Sequence, residues 1–346
     1  MSDGADRPEA SDAVVASAAL LPLIDLVAPW AVRVAATLRL ADSIENGVTR
    51  LEELASEVRV NSDALGRLLR YLCSIGVFQE PVPGTFGLAP AGRLLVDGHP
   101  SRLRAWLDLN GIEGRMARAW PGLLDAIRTG EPSYFDIFGS PFWDDLDANP
   151  ELGASFDALM ATNMSEVAAD LVAGFDWSAV SHVVDVGGGT GTLLTEILRS
   201  HSSARGTLVE LPARASAARK AFARAGLAER CEVVEGSFFD PLLDGGDAYV
   251  LSGILHDWDD RHAAMILSRC AEAAGPDGVV VVVERFAGAG GEHRTVAGMD
   301  LLMLVLLGGR ERTVAELGEL AASAGLRVQA VHRRESGRSF VELRRS

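Results

Sequence analysis

Hydrophobic residues recur at helical spacing through the first part of the chain, from about residue 14 to residue 75. Leu51 and Leu54, for example, lie about one turn apart, so their side chains share one face of a helix. The pattern breaks at Asn46–Gly47 and at Val60–Asn61, where these residue types can end one helix and cap the next. This region is therefore predicted to fold into short amphipathic helices.

Residues 51–95 follow the order helix, turn, helix and short hairpin, with the hairpin turn at Pro83–Gly84. That order is typical of a winged helix-turn-helix, which can bind DNA or serve packing and dimerisation. The second helix, residues 61–76, carries only two arginines against one aspartate, and its other side chains are largely apolar. A recognition helix needs exposed groups that reach bases and phosphates. We therefore predict a packing or dimerisation module.

From residue 183 onward, short apolar runs alternate with helical segments. Five of these runs predict strands, at residues 182–189, 206–211, 231–236, 247–253 and 278–286. The fifth, GVVVVVERF, is almost entirely β-branched, as in strands that are buried on both faces of a sheet. Residues 326–334 and 339–345 predict a closing antiparallel pair. The alternation indicates an α/β fold with a doubly wound, mainly parallel sheet that binds its ligand at the carboxyl ends of the strands.

A chain of 346 residues is long enough for two domains. We predict a flexible tail at residues 1–12, a winged-helix domain at 13–100, linking helices at 101–175 that contribute to a substrate pocket, and a cofactor-binding α/β domain at 176–346. The linking helices hold an aromatic cluster around the sequence YFDIFGSPFW. Two interpretations of this cluster stay open, the lining of an apolar pocket and a core beneath a loop.

The charge balance narrows the choice of partners. Lys and Arg number 32 against 48 Asp and Glu, for a net charge of −16. Nucleic acids and anionic membranes attract a surplus of positive charge, so we predict neither as a partner. The acidic N-terminus is unlike a signal or transit peptide, and the longest apolar run, residues 301–307, is far shorter than the ~20 residues of a membrane-spanning helix. Three scattered cysteines lack metal-ligand spacing, and we expect a cytoplasmic protein without a metal site.

A glycine loop, DVGGGTG at residues 185–191, lies between the first strand of the alternating region and the helix that follows. Glycines there let the backbone approach a ligand and direct helix N-terminal amides at it. A dinucleotide-binding loop needs glycine at the sixth position counted from Gly187, where this chain has Thr192. No Lys-Ser or Lys-Thr pair follows, so the loop is not a Walker loop. It resembles instead the first motif of class I methyltransferases that use S-adenosylmethionine.

Features at neighbouring strand ends fit an adenosyl ligand. Glu210 ends the second strand, where a carboxylate can accept hydrogen bonds from both ribose hydroxyls; its alternative is an exposed strand-end acid. The third strand ends at Gly236, and Phe238 soon follows, with a ring that can pack on adenine. We therefore predict S-adenosylmethionine as the cofactor, held by these residues and by the glycine loop at Gly187 and Gly189.

Candidate catalytic residues follow the fourth and fifth strands. His256, in the sequence LHDWDD, falls at the ligand cleft of such a sheet, whereas Asp259 and Asp260 are ordinary residues for a helix N-terminus. Glu284 ends the fifth strand at the same edge. Glu311, in the sequence GGRERT, follows an apolar helix and two glycines, and its alternative role is to cap the next helix.

The joint set of DVGGGTG, LVELP, GSFFDP, LHDWDD, a strand that ends in Glu, and GGRERT resembles the plant caffeate-type O-methyltransferases and their bacterial relatives in secondary metabolism. The resemblance covers nearly the whole chain. It implies a Rossmann-like class I methyltransferase domain and a winged-helix module that forms a homodimer. It also implies that a methyl group moves from S-adenosylmethionine to a hydroxyl of a phenolic or polyketide-type aromatic acceptor. Because the sequence shows no metal site, we expect the reaction to be independent of magnesium.

By this resemblance, His256 is the general base, and Glu284 and Glu311 flank and orient it. A free phenol has a pKa of about 10, and an imidazole with a pKa of about 6.5 can take its proton as the oxygen attacks the sulfonium methyl. The remaining task is to align oxygen, carbon and sulfur.

The family positions also suggest contacts with both ligands. Ser237 stands where the family has Asp, and Ser252 where plant members have Lys; we expect both to contact the cofactor through weaker hydrogen bonds. Five residues are placed near the acceptor: Met160, Asn163, Met164, Asp257 and Met303. Methionine adapts to flat apolar ligands, but these spacings equally suit a helix core.

Other functions stay open at this point. Some relatives bind the same cofactor but carry out hydroxylation or decarboxylation without methyl transfer, and N-methylation is a narrower variant. The presence of His256, Glu284 and Glu311 favours O-methylation. A ligand-sensing DNA-binding regulator is the alternative that is not an enzyme, and the acidic net charge argues against it.

Overall fold

The computed structural model describes residues 20–288 and 293–346 and divides into two compact units, Met1–Arg115 and Met116–Ser346. The predicted tail at residues 1–12 lies outside the described residues. Within them, no helix is long and apolar enough to cross a membrane. The same residues contain no group of three or more His, Cys, Asp or Glu side chains that could hold a metal ion.

The first unit has the predicted order of helices followed by a hairpin. Its elements are α1 (Val27–Thr37), α2 (Leu40–Glu45), α3 (Leu51–Glu57), α4 (Ser62–Ser74), β1 (Phe78–Val82), β2 (Thr85–Leu88) and α5 (Pro90–Arg93). Asn61 caps α4, since its side chain accepts the backbone N–H of Ala64 at 3.0 Å. Gly84, with φ of 74°, turns the antiparallel hairpin. Buried leucines of α3 and α4 pack with Phe78 and Phe86, so helices and hairpin share one core.

Four short helices and one long helix lie in the predicted linking segment, residues 101–175: α6 (Ile112–Ala117), α7 (Leu123–Thr129), α8 (Tyr134–Phe138), α9 (Phe142–Ala148) and the 23-residue α10 (Pro150–Val172). The aromatic cluster lies here. Phe142 packs edge-to-face on Tyr134, Trp143 and Phe156, with ring centroids 5.3, 5.1 and 5.9 Å away. Tyr134 is buried, and its hydroxyl donates to Asp145 at 2.5 Å. These contacts favour the interpretation of the cluster as a core.

The second unit contains the predicted sheet. Its strands are β3 (His182–Val186), β4 (Arg205–Glu210), β5 (Cys231–Glu235), β6 (Ala248–Ser252), β7 (Val279–Glu284), β8 (Leu326–Arg333) and β9 (Ser339–Arg345). They lie in the order β5-β4-β3-β6-β7-β9-β8. The first five in this order are parallel, and β9 pairs antiparallel with both β7 and β8. The predicted mainly parallel sheet and its closing antiparallel pair are confirmed.

Helices cover both faces of this sheet: α11 (Thr192–Ser200), α12 (Pro212–Arg224), α13 (Asp260–Ala274), α14 (His293–Leu306) and α15 (Val314–Ser323). Alternate residues of β7 enter two different cores. Val280 and Val282 pack in the cluster that includes α13, whereas Val281 and Val283 pack in the one that includes α11. Because β3, β4, β6 and β7 are parallel, the loops that follow them open at one edge of the sheet.

Candidate active site

The loop between β3 and α11 turns on three glycines with positive φ: Gly187 at 74°, Gly189 at 61° and Gly191 at 75°. A Cβ on Gly187 would lie 3.2 Å from the ring of Phe238, and one on Gly191 would lie 2.2 Å from the ring of Phe222. At Gly189, by contrast, no described atom lies within 4 Å of the Cβ position. The loop is thus packed at both ends and open in the middle, where a ligand can approach the backbone.

Glu210 ends β4, and its buried carboxylate lies against the glycine loop. Oε2 accepts the backbone N–H of Gly189 at 2.9 Å, and Oε1 accepts that of Leu211 at 2.7 Å. Burial raises the pKa of Glu210, while these two hydrogen bonds act in the opposite direction. The structure therefore brings together the predicted loop and the predicted carboxylate.

Asp185, the first residue of the DVGGGTG motif, is a polar group that was not among the predicted cofactor-binding or catalytic residues. Both of its carboxylate oxygens are buried and make no hydrogen bond within the described residues. Burial, with a further contribution from Glu210, raises the pKa of Asp185 to about 7. A Cβ on Gly188 would lie 2.1 Å from its Oδ2, so only glycine fits there. An acid inside the otherwise apolar strand HVVDV was the signal that could have identified it.

The other predicted cofactor residues lie at the ends of β5 and β6. Gly236 donates its N–H to the backbone oxygen of Glu210 at 3.0 Å. The hydroxyl of Ser237 accepts the N–H of Phe239 at 3.2 Å, so it already serves a local turn. Ser252 Oγ is buried without a hydrogen-bond partner in the described part of the chain. Of the two serines, Ser252 is therefore the one whose Oγ has no partner among those residues.

His256 lies in a short 3₁₀ turn, Leu255–Asp257, directly after β6. Its Nδ1 is 2.7 Å from Oε1 of Glu311, and its Nε2 is 3.4 Å from Oδ1 of Asp257. Because Nδ1 is held by Glu311, Nε2 is the nitrogen that remains for an acceptor. The structure brings His256 and Glu311 together although 55 positions separate them.

Glu284 holds the turn rather than the imidazole ring. Its Oε1 accepts the backbone N–H groups of Ile254, Leu255 and His256 at 3.2, 2.7 and 3.2 Å. Three amides that converge on one carboxylate oxygen fix the direction in which the backbone of the turn leaves β6. Glu284 thus orients His256 through the main chain, whereas Glu311 contacts its side chain.

The segment that carries Glu311 is tied to the same turn. Arg312, which is 2% exposed, donates to the backbone oxygens of Leu255 and Trp258, both at 2.7 Å. The N–H of Glu311 donates to Asp300 Oδ1 at 2.8 Å. The sequence analysis missed both Asp300 and Arg312. Thr313, rather than Glu311, caps α15, so the alternative interpretation of Glu311 as a helix cap is wrong.

The residues predicted to approach the acceptor lie in three places: beside His256, on α10 and on α14. Asp257 lies beside His256, as described above, and Met160 and Asn163 are half-buried on α10. Met164, also on α10, packs against the core that includes α11. Met303 is buried within α14, where its carbonyl accepts the N–H of Gly308 at 2.9 Å. For Met164 and Met303, core packing accounts for much of the side-chain environment.

Two family models match this chain. That of an O-methyltransferase domain covers residues 120–327, and that of an O-methyltransferase dimerisation domain covers residues 22–98. A 2,7-dihydroxy-5-methyl-1-naphthoate 7-O-methyltransferase from Streptomyces carzinostaticus is 50% identical over 313 residues, which span 90% of this chain and 93% of the relative. This chain belongs to the O-methyltransferase family. The predicted family, fold class and enzyme class are confirmed.

Two further comparisons place this O-methyltransferase more closely. A crystal structure of an O-methyltransferase from neocarzinostatin biosynthesis, in complex with S-adenosylmethionine and 2-hydroxy-5-methyl naphthoic acid, is 49% identical with a TM-score of 0.89, covering 94% of this chain and 98% of that one. An aclacinomycin 10-hydroxylase from Streptomyces purpurascens is 46% identical over 309 residues, 87% of this chain and 82% of the relative. The chain is thus similar both to methyltransferases and to a protein named as a hydroxylase.

The O-methyltransferase surrounds its histidine with carboxylates. Burial alone would lower the pKa of His256, but Asp257, Glu311 and Glu284 outweigh that effect and raise the pKa to about 10. For the acids, burial acts in the opposite direction: it raises the pKa of Asp257 to about 7 and also raises the pKa of Glu284. The pKa of His256 lies well above the ordinary imidazole value of about 6.5. The higher value means that the neighbouring carboxylates stabilise the protonated imidazolium of His256.

Proposed function

We propose that this O-methyltransferase moves the methyl group of S-adenosylmethionine to a hydroxyl of an aromatic small molecule, with His256 as general base. The observation that carries the proposal is the 2.7 Å contact between His256 Nδ1 and Glu311 Oε1, at the sheet edge that also holds the glycine loop. A carboxylate in that position holds the ring and stabilises the imidazolium that forms. Nε2 is thereby directed away from Glu311.

The residues at the glycine loop fit the cofactor. Oε2 of Glu210 accepts an amide of the glycine loop, and Oε1 accepts the N–H of the next residue, Leu211; both oxygens can exchange these hydrogen bonds for those of the ribose hydroxyls. Phe238 lies against Gly187 and offers a ring face for adenine, and Ser252 adds an unpartnered hydroxyl. When bound, S-adenosylmethionine supplies a sulfonium methyl group that an oxygen nucleophile can attack. We propose that Gly187, Gly189, Glu210, Gly236, Ser237, Phe238 and Ser252 hold it.

The base acts as part of a cluster. We propose that Nε2 of His256 takes the hydroxyl proton of the acceptor, and that Asp257, 3.4 Å away, shares it. Glu284 keeps the turn in place through three backbone amides. Because the pKa of His256 is about 10, the unprotonated form that can accept a proton becomes more abundant as the pH rises. We therefore expect an alkaline rate profile.

The acceptor is proposed to be a hydroxylated aromatic molecule of the phenolic or polyketide type. Support comes from the relatives, two of which are named for or bound to naphthoic acids. Met160, Asn163, Met164, Asp257 and Met303 are proposed to approach it. The supporting observation is strongest for Asp257, which lies next to the base, and weakest for Met303, whose side chain is buried in the core.

A homodimer is proposed to form through the first unit. The family model of the dimerisation domain covers residues 22–98. In the single chain, Leu21, Leu23, Ile24 and Leu26 are more than half exposed, and a partner subunit would bury them. Sedimentation at micromolar concentration tests the dimer, and a monomer would contradict it.

We propose that residues 13–100 form the dimerisation domain, residues 101–175 contribute to the acceptor pocket, and residues 176–346 bind the cofactor. A cytoplasmic location is also proposed, and the three free cysteines fit it.

The function is tested by calorimetric titration with S-adenosylmethionine and with NADH, followed by mass spectrometry of phenolic acceptors. We expect binding of the first alone and a mass gain of one methyl group in place of a hydrogen. The 46% identical hydroxylase makes a non-methylating reaction the second candidate. Cofactor binding without methylation of any acceptor, but with loss of a carboxyl group or gain of oxygen, would favour that candidate.

A further inference from the structure

Arg338 lies at the catalytic edge although it belongs to the last hairpin of the chain. It directly precedes β9, whose first residue, Ser339, pairs with Glu284 of β7. A tight turn delivers it there, since the N–H of Arg334 donates to the backbone oxygen of Arg338 at 2.9 Å and Gly337 has φ of 76°. The register of the antiparallel pair therefore sets an arginine beside the carboxylate that holds the His256 turn.

The guanidinium of Arg338 faces the same point as the proposed base. A Cβ placed on Gly253 would lie 3.8 Å from Nε2 of His256 and 3.9 Å from Nη1 of Arg338. Nε of Arg338 is buried and makes no hydrogen bond within the described residues. Arg334, on the same turn, differs, because its Nη2 lies 2.7 Å from Asp170. One arginine of the turn is thus engaged in structure, whereas the other has hydrogen-bonding capacity to spare.

Leaving a buried guanidinium nitrogen such as Nε of Arg338 without a partner is costly, since arginine keeps its charge in proteins. Burial and the neighbouring Arg285 lower the pKa of Arg338, and Glu284 and Glu311 only partly oppose them. No ion pair of Arg338 is formed within residues 20–288 and 293–346. An anion that binds beside it would therefore be stabilised by both charge and hydrogen bonds.

The strand order indicates which ligand brings that anion. The glycine loop follows β3, His256 follows β6, and Arg338 precedes β9 on the far side of β7. The cofactor loop and Arg338 thus lie on opposite sides of the base. A group that contacts both Nε2 of His256 and Nη1 of Arg338 belongs to the acceptor.

We infer that Arg338 binds a carboxylate on the aromatic acceptor and so selects hydroxylated aromatic acids over the corresponding neutral phenols. The inference rests on the proposed function, because it takes His256 as the point where the acceptor hydroxyl binds. A planar guanidinium matches a carboxylate in a bidentate manner, which an ammonium does not. Arg338 is accordingly a specificity-determining residue, and the proton transfer itself stays with His256.

The test measures binding rather than turnover. The affinities of 1-hydroxy-2-naphthoate and of 1-naphthol are determined by calorimetry in the presence of S-adenosylhomocysteine, for the wild type, Arg338→Met and Arg338→Lys. We expect the wild type to bind 1-hydroxy-2-naphthoate at least about tenfold more tightly than 1-naphthol. Arg338→Met should lower the affinity for the acid by about 10–100-fold and change the affinity for 1-naphthol little. Arg338→Lys should lie between the two.

Arg333→Met is the matched control, since Arg333 is an exposed residue of the same hairpin. It should leave both affinities unchanged. A wild type that binds the acid no more tightly than 1-naphthol, or an Arg338→Met variant that weakens both probes equally, would overturn the inference. Methylation of neutral phenols by the wild type, measured separately, would leave the proposed function in place even then.

Discussion

The glycine loop and the His256 turn lie at the same edge of one sheet but are built in different ways. The loop offers mainly backbone, packed at Gly187 and Gly191, and a single carboxylate, Glu210, that accepts two amides. The turn is held by side chains from two separate segments, with Glu284 bonded to its backbone and Glu311 to its imidazole. A backbone site suits a ligand that must be bound in one pose, whereas a cluster of titrating side chains suits proton transfer. Variants of the two regions should therefore fail in different ways.

The largest effect is expected for His256→Ala. Without the imidazole, the acceptor hydroxyl has no positioned base, and kcat should fall by about 10²–10⁴-fold. The affinity for S-adenosylmethionine should be nearly unchanged, because the glycine loop is untouched. Turnover is measured by mass spectrometry and affinity by calorimetry. His332→Ala, on β8, is the control; unchanged turnover in His256→Ala would leave alignment of the reactants as the main source of catalysis.

Glu210→Ala should show the opposite behaviour. Without the Glu210 carboxylate, the affinity for S-adenosylmethionine should fall by about 10–100-fold, with a smaller effect on kcat at saturating cofactor. Glu235, at the end of the neighbouring strand, is exposed and pairs with Arg219 at 2.8 Å, so Glu235→Ala is the matched control. If both variants bind the cofactor equally well, Glu210 is not a cofactor ligand.

Glu311→Gln sharpens the comparison through the pH profile. The carboxylate of Glu311 is one of the groups that raise the pKa of His256 to about 10. Its removal destabilises the imidazolium and lowers the pKa of His256. The rise of kcat/KM with pH should therefore move to lower pH, by about one unit for about 1.4 kcal/mol of lost interaction. Glu319→Gln, an exposed change on α15, should leave the profile in place. A shift of this rise to higher pH would contradict the assignment.

The smallest effect is expected on stability, from Asp185→Asn. The pKa of Asp185 in the folded protein is about 7, above its ordinary value of 3.8. The protonated folded form is favoured, so this group contributes stability at low pH that is lost as the pH rises through 7. Between pH 6 and pH 8 the loss should be about 1 kcal/mol.

Asp185→Asn should remove that part of the pH dependence, as judged by denaturant unfolding at both pH values. Asp277→Asn, on an exposed turn, should keep it. If the free energy of unfolding falls equally in the wild type and in Asp185→Asn between pH 6 and pH 8, the pH dependence does not come from Asp185. It would then come from the His256 turn, where the pKa of Asp257 is also about 7.

The sequence predicted the positions of the glycine loop and Glu210 more fully than the contacts of the His256 turn. Gly187, Gly189 and Glu210 are adjacent to strand ends that hydrophobic runs reveal, and parallel strands bring their ends to one edge. Glu284 was predicted as a neighbour of the histidine, but its contact with three backbone amides could not be read from spacing. Asp300, Arg312 and Arg338 were missed, because each acts through a contact with a distant segment.

The sequence by itself determined the features that depend on neighbouring residues along the chain. Apolar periodicity set the helices and strands, Asn61 set a helix start, and the family resemblance gave the expected chemistry. Only the tertiary structure decided the electrostatics. The adjacent Asp257, together with Glu311 and Glu284 from two distant segments, raises the pKa of His256 to about 10, and the register of β7 with β9 places Arg338 at the same edge. Charge interactions depend on distance and burial in space, and neither is a property of the order of residues along a chain.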